Sequence, residues 1–307
     1  MKVLRLGQSL CSSNAPSGEA FENLYSLDFD GIDDYLTCGD ANVFTPNNSG
    51  ANRGFSISFW VKVPAIAGGA FISKNSFFSG GANRYEYEVR TQFAGKPKVT
   101  FFGNDNSGIK QSLLFDDVMS ADAWHHLVFT FDLADASTSI IGYIDGVQKT
   151  NGSGATYSSA GTWAAVSNTA ANLQLAHEGT GANYRNCKLD EFAIFDDKLS
   201  ASTVTDIYNS GCPTDLSNQS YLLGYWRNGD TTGTAASPTI TDDSSNSNNG
   251  TMTNMVSTDI IPETPCQTFS NLYSLDFDGV DDYVAVGNDS ALTITDDITI
   301  STWINIS

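Results

Sequence analysis

Hydrophobic and polar residues alternate with a period of two along most of this chain. In the stretch GFSISFWVKV, the apolar residues Phe55, Ile57, Phe59 and Val61 occupy every second position. Because successive side chains of a strand point to opposite faces, this alternation indicates strands with one buried face. Similar stretches recur as far as residue 196 and are separated by turn-forming pairs such as Asp-Gly and Asn-Gly. The pattern therefore predicts an all-β chain of antiparallel strands.

The segment LSASTVTDIYNSG departs from this alternation, and its spacing is typical of a short helix. Ser200 can cap the first turn, Gly211 is typical of a helix end, and Pro213 prevents a continuation. The apolar positions that share one helix face are Val204, Ile207 and Tyr208. Many evenly spaced strands with one short helix predict a two-sheet antiparallel sandwich or jelly roll.

One stretch of the sequence occurs twice. FENLYSLDFDGIDDYLTCGD starts at Phe21 and FSNLYSLDFDGVDDYVAVGN starts 248 residues later at Phe269, with 14 of 20 positions identical. This distance far exceeds the roughly 20–50 residues of solenoid repeats, so it indicates serial whole domains. The second copy has 39 residues up to position 307. Because about three strands cannot bury both faces of a sandwich, we expect an incomplete second copy of the fold.

Five motifs follow one another in the order SLDFDGIDDYL, FSISFWVKV, DAWHHLVFTFD, GYIDGVQK and LDEFAIFDDKLSASTVTDIYNSG. Together they resemble the laminin-G-like, concanavalin-A-like jelly-roll domain of bacterial and viral proteins, over roughly residues 21–211. The resemblance implies two antiparallel sheets packed face to face, with a calcium ion at the rim in some members. It resumes at residues 221–255. We therefore expect strands at Leu222–Trp226 and Thr251–Asn254 to complete the first sandwich.

These observations divide the chain into four predicted parts. They are an N-terminal segment (1–20), a laminin-G-like jelly-roll domain (21–255), a linker that contains IPETPCQT (256–268) and the truncated start of a second such domain (269–307). Three tryptophans of the first domain lie in strand-like sequence, and we expect them to pack between the two sheets. They are Trp60, Trp124 and Trp226.

The charge balance limits the choice of partners. The chain carries 15 basic and 35 acidic side chains, a formal net charge of −20. Such a surface repels a phosphate backbone, which argues against nucleic acid, and the sequence lacks the roughly 20-residue apolar run of a membrane span. The apolar start is interrupted at Arg5, Gly7 and Gln8, unlike a signal peptide. The location stays open, with the extracellular space or a virion surface as the settings we consider.

The cysteines predict neither a zinc site nor a dense disulfide framework. Their number is odd, their spacing is wide and no CxxC motif occurs, so free thiols are the first interpretation. The five cysteines are Cys11, Cys38, Cys187, Cys212 and Cys266. If one pair forms, Cys212 and Cys266 are the residues to test, because both lie beside proline in linker-like sequence.

Catalytic motifs are weak in this sequence. Some members of the broader fold hydrolyse glycans with carboxylates at E-x-D-x-E spacing on one strand, and the chain lacks this motif. Its nearest equivalent is Glu86 and Glu88, which we interpret as the exposed acidic face of an edge strand. The adjacent His125 and His126 point to opposite sheet faces, and we expect His126 to be buried and hydrogen-bonded. The chain is therefore predicted not to be an enzyme.

Carboxylates offer a candidate calcium site, because this cation prefers oxygen ligands. Acidic residues cluster at the first hairpin and again on a late strand, at Asp28, Asp30, Asp33, Asp34, Asp190 and Glu191. In a laminin-G-like fold the first and last strands lie close, so the resemblance implies that Asp30 and Asp190 share one ion. The alternative is that Asp30 and Gly31 only form a turn.

Exposed loop aromatics are the candidates for contacts with sugar rings. Trp163 lies in the Ser/Ala/Gly-rich stretch YSSAGTWAAVSN, and its alternative role is to pack beneath its own loop. The predicted ligand-binding residues are Trp163, Tyr157, Tyr184, Asn183 and Arg185, the last two as hydrogen-bonding partners of hydroxyl groups.

Three functions follow from these readings. The first is a non-catalytic recognition module that binds carbohydrate or another cell-surface ligand, with calcium as a candidate cofactor. The second is a structural or adhesion component of a phage particle, in a tail or capsid appendage. The third is the carbohydrate-binding accessory part of a secreted polysaccharide-degrading enzyme, which would need a catalytic domain beyond these 307 residues.

Overall fold

The computed structural model divides into two units, whose described residues lie within 21–266 and 275–285 respectively. The residues it describes are 21–46, 54–65, 67–76, 84–92, 95–103, 106–132, 140–163, 165–166, 168–179, 181, 183–230, 239–266 and 275–285. All strands and the α-helix of these described residues lie in the first unit. The predicted segment 1–20 lies outside them.

Seventeen strands run through the described residues of the first unit. In chain order they begin with β1 (Ser26–Asp30), β2 (Tyr35–Gly39), β3 (Gly54–Lys62), β4 (Gly69–Ser76), β5 (Arg84–Gln92), β6 (Lys96–Gly103), β7 (Asn106–Phe115) and β8 (Trp124–Asp132). They continue with β9 (Ile140–Ile144), β10 (Val147–Asn151), β11 (Gly154–Ala160), β12 (Leu173–Leu175), β13 (Asn186–Phe195), β14 (Leu222–Trp226), β15 (Thr239–Ile240), β16 (Gly250–Thr253) and β17 (Ile260–Ile261).

These strands form two sheets, as predicted for a jelly roll. In sheet A, β13 pairs with β3 along one edge and with β1 and β14 along the other. Beyond β3 the sheet continues with β8 and then β9, and β17 pairs with the far edge of β1. Sheet B has the order β15-β16-β2-β12-β4-β5-β6-β7-β11. The pairs within each sheet are antiparallel, and β10 joins the sheets by pairing with β9 and with β11.

The late strands complete the sandwich, which confirms their prediction. Trp226 of β14 lies opposite Phe192 of β13, and Thr251 of β16 lies opposite Thr37 of β2. The sandwich also extends further than expected. β17 pairs with β1, so the described part of the predicted linker, up to residue 266, packs on sheet A.

Inward-facing residues of both sheets form the main core. Phe55, Ile57 and Phe59 alternate into it from β3, as predicted. Trp226 also lies there, stacked on Phe192 at 5.0 Å between ring centroids. The expectation that all three tryptophans lie between the sheets was wrong for Trp60 and Trp124, which alternate with the inward-facing Phe59 and Leu127 and therefore lie on the outer face of sheet A.

A second, smaller core lies on that outer face, beneath helix α1 (Ala201–Tyr208). The Ser200 hydroxyl accepts a hydrogen bond from the Thr203 N–H at 3.1 Å, which confirms the predicted cap. The helix ends at Asn209, whose left-handed conformation precedes Gly211. Its buried side chains are Val204 and Ile207. No helix among the described residues is long and apolar enough to span a membrane.

The cysteines follow the prediction in part. Cys212 and Cys266 form a disulfide that closes a separation of 54 residues, so free thiols were the wrong interpretation for this pair. The disulfide fixes residue 266 to the segment that follows helix α1. Cys38 and Cys187 are free and buried, while Cys11 lies outside the described residues.

The repeated hairpin turn has the same hydrogen bonds in both copies. The Asp30 N–H donates to Asp34 Oδ2 at 3.1 Å, and the Asp278 N–H donates to Asp282 Oδ2 at 3.1 Å. The turn geometry is therefore encoded locally. That residues 269–307 begin a second domain stays a prediction.

The buried His126 should make the fold sensitive to acid. Burial lowers its pKa to about 3, whereas an unfolded histidine titrates near about 6.5. Between these values the unfolded chain binds more protons, so the free energy of unfolding falls as the pH drops from about 6.5 towards 3. We expect His126→Gln to show a shallower loss of stability over this range in urea unfolding. Equal pH dependence in the two proteins would contradict this assignment.

Candidate functional site

The outer face of sheet B carries polar side chains. On β5 and β6, Val89 and Val99 point into the core, so Glu88, Arg90, Lys98 and their alternate neighbours point outwards. The same alternation continues over the neighbouring strands. We call this surface the polar face, and its members are Tyr35, Thr37, Ser73, Glu88, Arg90, Lys96, Lys98, Thr100, Lys110, Ser112, Thr156, Ser158 and Gln174.

Three aromatic rings stack at the β2–β12 side of the polar face. The ring centroids of His177 and Tyr184 are 4.6 Å apart, and those of Tyr35 and His177 are 5.1 Å apart. His177 Nε2 donates to the Gly181 carbonyl at 3.2 Å, and His177 Nδ1 lies 3.2 Å from Gln174 Oε1. These contacts hold the half-buried Tyr35 and Tyr184 in place, and we call the three rings the aromatic stack.

An ion-pair network links the aromatic stack to the middle of the polar face. Arg90 Nη1 donates to Glu178 Oε1 at 2.5 Å and lies 3.6 Å from Glu88 Oε2. Glu178 follows His177 in sequence, so the pair anchors this loop over β4 and β5. Burial raises the pKa of Glu88, while the nearby Arg90 opposes the rise. Hydroxyl, amide and charged groups thus lie beside stacked rings.

The structure places two of the predicted ligand-binding residues at the aromatic stack. Tyr184 belongs to it, and the Asn183 carbonyl accepts a hydrogen bond from the Glu178 N–H at 3.1 Å. Arg185 follows directly but is 5% exposed, with its guanidinium over the Phe71 ring. Because Arg185 points away from solvent, its predicted hydrogen bonds to sugar hydroxyls are corrected to a packing role.

Trp163 and Tyr157 lie elsewhere. Trp163 packs edge-on against Phe131 with ring centroids 5.7 Å apart, and Tyr157 lies opposite Leu113 on the inner face of β11. Four strands separate β11 from β12, which is about 24 Å at the usual strand spacing. The five predicted residues therefore do not form one site, and the partly buried Trp163 packs against the main core.

An irregularity in β5 turns the two side chains of the predicted acidic pair to different surroundings. The register with β4 shifts at Glu86, which is buried and accepts a hydrogen bond from Lys74 Nζ at 2.8 Å. Thr45 and Thr169 also donate to its carboxylate. The interpretation as an exposed acidic edge was wrong, since β5 lies between β4 and β6. Glu86 and Glu88 also do not act together at one exposed surface.

A hydrogen-bonded chain of serine, histidine and aspartate was not expected from the sequence. Ser120 Oγ lies 2.8 Å from His125 Nε2, and His125 Nδ1 lies 2.8 Å from Asp145 Oδ2. The Ser120 backbone N–H also donates to His125 Nε2, at 3.2 Å. This nitrogen is therefore an acceptor, Nδ1 carries the proton, and the chain connects the turn before β8 to the β9–β10 turn.

The acidic candidates for calcium fall into two separate groups. Asp30 lies opposite Asn186 on β13, four residues before Asp190, which corresponds to about 13 Å along the strand. The prediction that Asp30 and Asp190 share one ion is therefore wrong. Asp30 instead borders a polar cavity of about 360 Å³ that Lys62 and Lys188 also line.

Asp190 belongs to a second group with Glu191 and Asp230, in which one carboxylate oxygen from each lies within 4.8 Å of the others. Asn23 Nδ2 donates to Asp190 Oδ2 at 2.9 Å, and Arg227 Nε donates to Glu191 Oε1 at 3.3 Å. Burial raises the pKa of Asp190 well above its usual range, and it raises that of Glu191 to about 7. Three carboxylates are thus gathered beside one guanidinium.

Comparison with known proteins places this chain in a family. The family model described as the Concanavalin A-like lectin/glucanases superfamily matches residues 30–205. No curated protein matches the chain. The match covers more than half of the chain and ends within helix α1.

Solved structures resemble this chain at low sequence identity. A Bacteroides ovatus protein, provisionally described as carbohydrate binding, has a TM-score of 0.51 and 12% identity over 76% of this chain and 58% of its own. The present chain thus spans less than two thirds of that protein. The Ruminococcus gnavus IT-sialidase CBM40, bound to α2,3-sialyllactose, has a TM-score of 0.42 and 14% identity over 60% and 96%. A Limulus polyphemus SAP-like pentraxin has a TM-score of 0.39 and 14% identity, over 62% of this chain and 84% of its own.

The buried ion pair of Lys74 and Glu86 should be important for stability. Removing the cation leaves a buried carboxylate without its partner, so we expect Lys74→Met to cost about 3–5 kcal/mol in the free energy of unfolding. The double variant Lys74→Met/Glu86→Gln should recover part of this loss, because it buries no unpaired charge. Urea unfolding measures all three proteins. A double variant no more stable than Lys74→Met would refute the coupling.

Proposed function

Because this chain belongs to the concanavalin A-like lectin/glucanase superfamily, we propose that it is a non-catalytic module that binds carbohydrate at the polar face of sheet B. The observation that carries the proposal is the aromatic stack beside the ion-paired Arg90 and the Gln174 amide. Aromatic rings offer flat apolar surfaces to sugar rings, while amide, hydroxyl and charged groups bond their hydroxyls.

A binding role agrees better with the acidic side chains than hydrolysis does. Glu86 is buried in an ion pair with Lys74, and Glu88 lies beside Arg90. Neither group is free to act as the acid or nucleophile of a glycosidase pair. Nor does the Ser120–His125–Asp145 chain carry a hydrolase proposal, since His125 Nε2 already accepts the Ser120 backbone N–H. The particle and enzyme-accessory roles stay predictions.

Removing one ring of the aromatic stack should weaken glycan binding. We expect Tyr184→Ala to reduce the affinity for a glycan identified on an array by at least about tenfold, or about 1.4 kcal/mol. Tyr221→Ala is the matched control, because that exposed tyrosine precedes β14 of sheet A. Titration calorimetry compares the variants with the parent. A blank array, or equal losses in both variants, would refute the proposed site.

We propose further that calcium binds at Asp190, Glu191 and Asp230, and not between Asp30 and Asp190. The residues fit a hard cation, because three buried carboxylates face a single guanidinium and calcium prefers oxygen ligands. The fully buried Asn228 side chain, two residues before Asp230, has no hydrogen-bond partner among the described residues. When bound, the ion would neutralise the repulsion between these carboxylates.

Calcium should therefore stabilise the fold through this group. A ligand present at 100 times its Kd adds about 2.7 kcal/mol, so we expect calcium to raise Tm over chelated protein by about 5 °C or more. Asp190→Asn should abolish the difference, and Asp30→Asn should preserve it. Thermal unfolding with calcium and with chelator tests both. An unchanged Tm in the parent, or loss of the effect only in Asp30→Asn, would exclude this site.

A further inference from the structure

Basic side chains are concentrated on the polar face of this acidic chain. Of the 15 basic residues in the sequence, four lie on the outer side of β5, β6 and β7. They are Arg90, Lys96, Lys98 and Lys110. Two carboxylates, Glu88 and Glu178, lie near Arg90. This part of the polar face is therefore locally positive, although the whole chain has a formal charge of −20.

Only one of the four cations is neutralised within the described residues. Arg90 pairs with Glu178 and lies near Glu88, whereas Lys96, Lys98 and Lys110 have no ion-pair partner in this part of the chain. All three lysines are partly buried. Burial lowers the pKa of Lys98, attraction to the nearby Glu88 opposes this effect, and repulsion from Lys110 and Arg90 adds to it. An anionic ligand group would attract these ammonium groups and oppose the lowering.

The lysines form a row along β6. Lys96 and Lys98 are alternate residues of this strand, about 7 Å apart, and Arg90 lies directly opposite Lys98. Lys110 on β7 lies opposite Phe102, which is four residues, or about 13 Å, beyond Lys98. The row is therefore about 20 Å long, so it suits a ligand with several anionic groups in succession. The aromatic stack lies about three strand spacings, or about 14 Å, to the side.

We propose that the ligand is an acidic oligosaccharide, whose carboxylate or sulfate groups contact Lys96, Lys98 and Lys110. This inference rests on the proposed carbohydrate binding and specifies its substrate class. Each ammonium group would form charge-assisted hydrogen bonds to an anionic oxygen, while neutral sugar rings contact the aromatic stack. The net charge of the chain does not prevent this, because charges farther away than about 8 Å are largely screened at physiological salt.

A matched set of ligands tests the charge requirement. Titration calorimetry compares an oligogalacturonate, its neutral methyl ester and a chondroitin sulfate oligosaccharide of similar length. We expect at least one acidic ligand to bind ten or more times as tightly as the ester, by about 1.4 kcal/mol or more. Removal of the sulfates from the chondroitin ligand separates the two groups, because lost binding identifies sulfate and retained binding identifies carboxylate as the preferred group. The affinity for the acidic ligand should fall as salt is raised from about 0.05 to 0.5 M.

Protein variants locate the contact. We expect Lys98→Gln and Lys110→Gln each to weaken acidic ligand binding about fivefold or more, and to leave binding of the ester unchanged. Lys149→Gln is the control, because this lysine pairs with Asp117 and lies on β10. Circular dichroism and Tm establish that each variant is folded. The salt dependence of binding to the parent protein tests the charge requirement without any variant.

The outcomes separate this inference from the proposed function. Equal binding of ester and acid, or array binding of neutral glycans alone, overturns the charge requirement and leaves carbohydrate binding in place. Losses confined to Lys149→Gln also overturn it. Failure of every acidic and neutral glycan to bind refutes the proposed function itself, and the inference with it.

Discussion

The arrangement of the molecule depends on the irregular pairing of β13. This strand bonds to β3 along one edge and divides its other edge between β1 and β14, and its register with β3 shifts between Asp190 and Ala193. Glu191 lies at this shift with a φ of 48°, a left-handed conformation that is costly for a residue with a Cβ. In a regular strand, Asp190 and Glu191 would point to opposite faces. The irregularity brings both carboxylates into one buried group.

β14 pairs with β13 directly beside this irregularity. The end of β14 and the residues after it therefore supply the groups that surround the carboxylates. The Tyr225 hydroxyl donates to Glu191, and Arg227 forms an ion pair with the same carboxylate. Burial and these contacts oppose each other in their effects on the pKa of Glu191. The late strands thus have two roles, since they complete sheet A and also gather the charges that the proposed calcium ion would balance.

Much of the fold could be predicted from residue periodicity, but the site required strand register. Alternation on β3 predicted its inner face correctly, and the same alternation shows why Trp60 cannot lie between the sheets. Glu86, Asp30 and Arg185 were misplaced for a different reason. Their positions depend on a local register shift, on a distance along paired strands and on a loop that turns back over sheet B. None of these is visible in the spacing of residues along the chain.

The aromatic stack illustrates the same limit, because its three residues come from β2 and from a loop more than 140 positions later. Charge composition has a comparable limit. A formal charge of −20 argues against polyanionic partners only at long range, and ionic screening confines each contact to its surroundings within about 8 Å. What a ligand meets there is set by strand order, which brings Arg90, Lys98 and Lys110 to one face. The sign of the charge on a binding surface must therefore be argued from the residues of that face and not from the net charge of the whole chain.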